Sequence, residues 1–185
     1  MPAGKRRPLR ILIVMTRPYR DRLPEVSASA YVDPSAEVIG AVEIGEHASI
    51  WCNVTIRGDV NSIHIGAESN VQDNCCLHVD RDKSLVLGRR VVVGHSVTLH
   101  ACVVENECLI GMGSTILSGA RIGSGSIIAA GSLVLERQEI PAGSWVSGAP
   151  AKVRRPMTEA ELERTRRNAA GYVELGREYG EQQQA

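Results

Sequence analysis

The side chains of this 185-residue chain with the widest chemical repertoire are five histidines, His47, His64, His78, His95 and His100, and five cysteines, Cys52, Cys75, Cys76, Cys102 and Cys108. Neutral imidazoles suit Zn²⁺, Co²⁺ or Fe²⁺, and a set of three leaves a coordination position open for water. A single imidazole can instead serve as a general base. The cysteines are odd in number and contain no CxxC pair. Neither a disulfide framework nor a zinc ribbon fits them, and a reducing, cytoplasmic setting is expected. Whether three imidazoles can meet depends on the elements that carry them.

Those elements follow from a repeat. Aliphatic residues recur every six positions at Val32, Val38, Ile44, Ile50 and Ile56, then at Ile65, Val71 and Leu77, then at Leu87, Val93 and Leu99. A final run goes from Val104 through Ile110, Ile116, Ile122, Ile128, Val134, Ile140 and Val146. Six matches neither the helical period of 3.6 nor the strand period of two. It fits a parallel β-helix in which each side is one short strand plus a turn, and a Gly after the aliphatic residue eases the corner. The pattern resembles the hexapeptide repeat of left-handed β-helices, triangular prisms with three repeats per coil. On that basis residues 30–153 form about six coils, preceded by an extension and lead-in over residues 1–29. The fold class is mainly β, ending in a C-terminal α-helix within residues 154–185. An aromatic content of 3% with no Phe agrees with a thin aliphatic interior.

Counting sides places His78 and His100 second after Leu77 and Leu99, three sides apart. They therefore share a face on successive coils and stack at the inter-strand spacing of about 4.8 Å. The 22 residues between them are one coil plus four residues of bulge, assigned to the VDRDKS loop (79–84). His95 falls on another face, which Gln72 shares one coil earlier. One prism would struggle to bring three imidazoles together. A homotrimer solves this, because a threefold axis sets one face of each subunit against a different face of its neighbour. His47 and His64 read as surface residues. Cys102 and Cys108 read as small residues of the wall, and Trp51 and Trp145 as packing residues near the prism surface.

The remaining features bound the function. With 21 basic and 21 acidic residues there is no electrostatic drive toward nucleic acid or an anionic membrane. No apolar run approaches the roughly 20 residues needed to span a bilayer. The segment MPAGKRRPLRILIVM mimics a signal peptide, but Leu9 to Met15 is short for one and lacks a convincing cleavage site, so export is discounted. Met15 is an alternative start, which would make residues 1–14 an upstream reading. After Pro156, Thr158 and Glu161 have capping-box spacing. Leu162, Ala169, Tyr172, Val173, Gly176 and Tyr179 form a stripe expected to pack on a β-helix face, and the Gln-rich tail is expected to fray.

The stretches IRGDVNSIHIG (56–66), SNVQDNCCLHVD (69–80), VGHSVTLHACVV (93–104), LIGMGSTILSGA (109–120) and SGAPAKVRR (147–155) together resemble the γ-class carbonic anhydrases. The resemblance implies a left-handed β-helix trimer with metal at each subunit interface, hydrating CO₂ reversibly to bicarbonate. It implies His78, His95 and His100 as metal ligands and Zn²⁺ as the cofactor, with Fe²⁺ or Co²⁺ as alternatives. Gln72 is implied to hydrogen-bond metal-bound water or bicarbonate. Arg57 and Asp59 are implied as interfacial residues, with Asp73 as a salt-bridge partner.

Two departures bear on rate. The best-described γ enzymes follow Arg-x-Asp with a Glu and carry a long acidic loop after the first ligand. Here Val60 follows Asp59, and the loop is only VDRDKS. Asp80 and Asp82 in that loop, or Asn168 and Tyr172 on the helix, are the candidates to substitute in proton removal. Two other functions remain open: a hexapeptide acyltransferase or thioesterase acting on acyl-CoA, and a non-catalytic trimeric scaffold with a metal site.

Overall fold

A computed structural model describes residues 15–184, so the reading of residues 1–14 as an upstream extension lies outside it. The six-residue period becomes three aliphatic ladders of parallel strands. On the first face Val38, Ile56, Leu77, Leu99, Ile116 and Val134 pair in succession. On the second the ladder is Ile44, Ile65, Leu87, Val104, Ile122 and Ile140. On the third it is Val32, Ile50, Val71, Val93, Ile110, Ile128 and Val146. Strands Glu37–Ile44 and Thr55–Ile65 run round a corner and join the first two faces into one 12-stranded sheet, while the third face is an 8-stranded sheet. Every one of these aliphatic residues is at most 6% exposed, which leaves a core one residue wide on each side and no room for rings.

The solenoid has about seven turns rather than the expected six. The difference lies in the lead-in. Met15–Arg17 and Glu25–Val26 each pair in parallel with Glu37–Ile44 and supply two further sides. An excursion between them, closed by the Tyr19 and Arg22 bridge, breaks the period and hides the extra coil. The role of glycine also divides in two. A Gly directly after the aliphatic residue lets coils stack, since a Cβ on Gly111 would lie 2.4 Å from the Ala130 amide nitrogen. The left-handed corner comes two residues later, at Gly113 (φ 67°) in one coil but at Asn53 (φ 57°) or His47 (φ 55°) in others.

The last parallel strand, Ser144–Ser147, pairs antiparallel with Lys152–Pro156, so the boundary expected after residue 153 falls inside a strand. Helix α1 (Glu159–Gln184) starts at the expected capping box. The Glu161 amide donates to Thr158 Oγ1 (3.3 Å), and the Thr158 amide donates to Glu161 Oε2 (3.0 Å). The helix covers the third face of its own chain. Ala169 and Gly176 of the expected stripe are buried, as is Thr165, which the stripe did not include. Tyr172 and Tyr179 pack edge-on against Trp51 at 5.6 and 5.2 Å, and Tyr31 lies 5.2 Å from the same ring. The tail does not fray as expected: α1 continues to Gln184, and Gln183 Nε2 donates to the Tyr31 hydroxyl (3.0 Å). No helix among the described residues is long and apolar enough to cross a membrane.

Candidate metal centre

His78 closes the strand Cys76–His78 and His100 closes Thr98–His100; the two strands pair in register, with His100 opposite His78. The coil count therefore places both imidazoles correctly, and the VDRDKS loop absorbs the extra residues through a turn from the Asp80 amide to Lys83 O (3.1 Å). His78 Nδ1 lies 3.1 Å from His100 Nε2. His100 Nδ1 meets Ser118 Oγ at 2.8 Å, and Asp80 Oδ1 stands 3.8 Å from the same nitrogen. Arg57 pairs with His78 across the coils, and its guanidinium binds Asp59, whose Oδ1 is 3.0 Å from His78 Nε2. Burial would raise the Asp59 carboxyl, but hydrogen bonds from His78 and Arg57 and the positive charge of Arg57 hold it below the usual carboxylate range. Arg57 is 44% exposed and Asp59, lying against Arg57 and His78, is 16% exposed.

His95 follows Val92–Val93 on the 8-stranded sheet, a different face, as the count requires. Its Nδ1 lies 2.8 Å from Asp73 Oδ2. Asp73 thus serves His95 within the chain. Gln72 sits beside Asp73, is 5% exposed, and donates its Nε2 to Asn70 Oδ1 (3.0 Å). The structure brings Arg57, Asp59, His78 and His100 together on one face, and Gln72, Asp73 and His95 on another. Among the described residues no three His, Cys, Asp or Glu side chains of the single chain converge on a metal position.

Sequence reasoning missed Ser118 and the pairing of Asp73 with His95. Both were within reach of the coil count: Ser118 lies 18 residues after His100, and His95 lies 22 after Asp73, the same offset as His78 to His100. The other candidates fall away from the two groups. His47 is exposed at a corner, and His64 lies on the second face against Glu43 (3.0 Å). Burial pushes the Cys75 thiol up to about 11 and those of Cys102 and Cys108 up to about 12, so all three stay protonated and non-nucleophilic. Asp82 is exposed in an ion pair with Lys83, and Asn168 is exposed on α1. Burial, with the charge of Asp73 adding to it, raises the Tyr172 hydroxyl.

The donor chemistry fits a divalent metal. Two nitrogens bound at 2.0–2.1 Å to one tetrahedral ion are about 3.3 Å apart, close to the 3.1 Å between His78 and His100. Metal-binding imidazoles usually give their second nitrogen to a carboxylate, hydroxyl or water. Asp73 holds Nδ1 of His95 and Ser118 holds Nδ1 of His100, which leaves Nε2 of each as the ligand atom.

Known proteins resemble this chain in sequence and fold. Residues 101–136 match the family model described as bacterial transferase hexapeptide (six repeats). The chain is 38% identical over 161 residues to "Gamma carbonic anhydrase 2, mitochondrial" of Arabidopsis thaliana, covering 84% of this chain but only 58% of that protein's length. It is 44% identical over 170 residues to a carbonic anhydrase of Geobacillus kaustophilus, covering 92% of this chain and 93% of that one. A solved structure described as a putative acetyltransferase of Bacillus cereus superposes with a TM-score of 0.88 at 43% identity, covering 89% and 96% of the two chains. With near-complete coverage at this identity, the chain belongs to the γ-class carbonic anhydrase family.

Proposed function

We propose that this protein catalyses the reversible hydration of CO₂ to bicarbonate at a metal held by His78 and His100 of one subunit and His95 of the next, in a homotrimer. The observation that carries this reading is the pair of stacked, in-register imidazoles, His78 and His100, with a third oriented imidazole, His95, on a different face of the same prism. A threefold ring brings those two faces together; a lone chain leaves each half incomplete.

Zn²⁺, Co²⁺ or Fe²⁺ bound there would supply hydroxide near neutral pH, since zinc enzymes of this kind lower the pKa of water from 15.7 to about 7. The chain's own side chains do the rest. Asp73 and Ser118 fix the orientation of His95 and His100. Gln72 Nε2 gives one hydrogen to Asn70, and its carbonyl oxygen remains to accept a hydrogen bond from water or bicarbonate and so orient it. Each turnover adds a water oxygen to carbon and releases one proton, which must leave the cleft. With no Glu at position 60, the proton leaves chiefly to soluble buffer, and Asp80, 3.8 Å from His100 Nδ1, is at most a slow internal acceptor. Arg57 and Asp59 line the same face and serve the subunit contact.

Hexapeptide acyltransferases share the fold, and a structural neighbour is described as a putative acetyltransferase. An acyltransferase needs one basic His, however, and does not call for paired imidazoles with buttressed second nitrogens. Metal analysis of the purified protein combined with stopped-flow CO₂ hydration tests the proposal: one metal per chain with hydration activity is expected. A fully metallated protein that leaves CO₂ untouched would overturn it.

A further inference from the structure

The largest apolar side chains exposed on the solenoid faces include Met112, 59% exposed, and Leu135, 43% exposed. Neither is randomly placed. Leu117 and Leu135 continue the outward column that runs from Arg57 through His78 and His100, since Ile116 pairs with Leu99 and Val134 pairs with Ile116. Met112 and Ala130 continue the other column, which runs from Asp73 through His95, one coil at a time. We propose that Met112 and Ala130 of one subunit pack against Leu117 and Leu135 of a second copy of this chain, forming an apolar seam beside the metal centre. This rests on the shared site proposed above.

If His95 of one chain lies level with His78 and His100 of the next, one coil spacing of about 4.8 Å further along sets Met112 level with His100 and Leu117. A second step sets Ala130 level with Leu117 and Leu135. Sizes then complement: the long Met112 meets the half-buried Leu117, and the small exposed Ala130 meets the protruding Leu135. One step in the opposite direction sets Asp73 level with Arg57, which is charge complementarity. The two columns thus read in the same order, ionic, then imidazole, then apolar. The seam closes one side of the cleft to water and gives a neutral gas an apolar wall to rest on.

The test is cross-linking between differently tagged chains in a Cys52→Ser, Cys76→Ser background, one carrying Met112→Cys and the other Leu117→Cys. Oxidation of the mixed oligomer should join one tag to the other, because a disulfide needs Cα atoms within about 7 Å. Chains carrying Met112→Cys alone should not join to one another, since a ring sets Met112 against a different surface. Tag-to-tag joining in the single variant, or none in a folded mixed trimer, overturns the proposal. As a second measurement, Met112→Glu should convert the trimer to monomer in sedimentation velocity while Met112→Leu should not; a trimer unmoved by Met112→Glu counts against the seam. Metal content and CO₂ hydration are read separately. Cross-linked trimers without hydration would remove the proposed function and leave the seam, whereas active trimers that never cross-link would do the reverse.

Discussion

Asp73 illustrates how a residue of modest exposure governs one of chemical importance. Its carboxylate fixes the His95 ring through Nδ1, and losing such a partner typically lowers metal affinity 10- to 100-fold. Asp73→Ala should weaken metal binding by that factor, measured by competition with a chelator, while leaving the circular dichroism spectrum unchanged; unaltered affinity would mean that His95 needs no buttress. The histidines themselves were legible in the sequence because the coil count converts spacing into position. Their partners were not, because a carboxylate one coil away looks like any surface Asp until the count is applied to every polar residue. The Asn70 contact to Gln72 carries even less signal, since an amide two residues upstream on a strand shares its face in any strand.

The elements show the same division between what a period reveals and what it conceals. All three aliphatic ladders follow the six-residue spacing, whereas the opening coil escaped notice because the segment from Arg17 to Glu25 interrupts it. The corners were also only half legible. In the C-terminal coils a Gly mostly occupies the left-handed position, as at Gly113, Gly119 and Gly125, but Arg137 and, in earlier coils, Asn53, Asn74, Ser96 or Glu107 stand there, so composition alone does not mark them. The two glycine positions should therefore respond differently to alanine. Gly113→Ala meets nothing within 4 Å and pays only the left-handed cost of about 1–2 kcal/mol. Gly111→Ala drives a methyl against the Ala130 backbone at 2.4 Å and should destabilise more. Thermal unfolding of the two variants checks the order, and equal shifts would show that the coils can part without cost.

At the scale of the whole molecule, the shared site predicts complementation. His78→Ala and His95→Ala chains should each bind no metal alone, yet their mixture should recover some, because one interface can draw both intact sides; mixed trimers that never regain metal would refute the geometry. The short VDRDKS loop and Val60 predict a second property, slow proton export. In imidazole-type buffers at fixed pH and ionic strength, kcat should rise with buffer concentration while kcat/KM, which reports the CO₂ step, stays nearly flat. A high kcat indifferent to buffer would point to an internal relay, with Asp80 the first residue to replace. The final strand pair has a consequence for the fate of the protein at high concentration. A stack of parallel strands invites another chain to add to its open end, as growing fibrils do. On the third face the stack stops at Ser144–Ser147, whose partner Lys152–Pro156 runs the opposite way and carries Lys152, Arg154, Arg155 and Pro156, all exposed. An incoming strand on that face meets reversed polarity, the positive charges of Lys152 and Arg154, an Arg155 already paired with Glu161, and a residue with no amide proton. Aggregation resistance at that end is thus built from five residues, and chains truncated before Lys152 should elongate end to end where the intact protein stays dispersed.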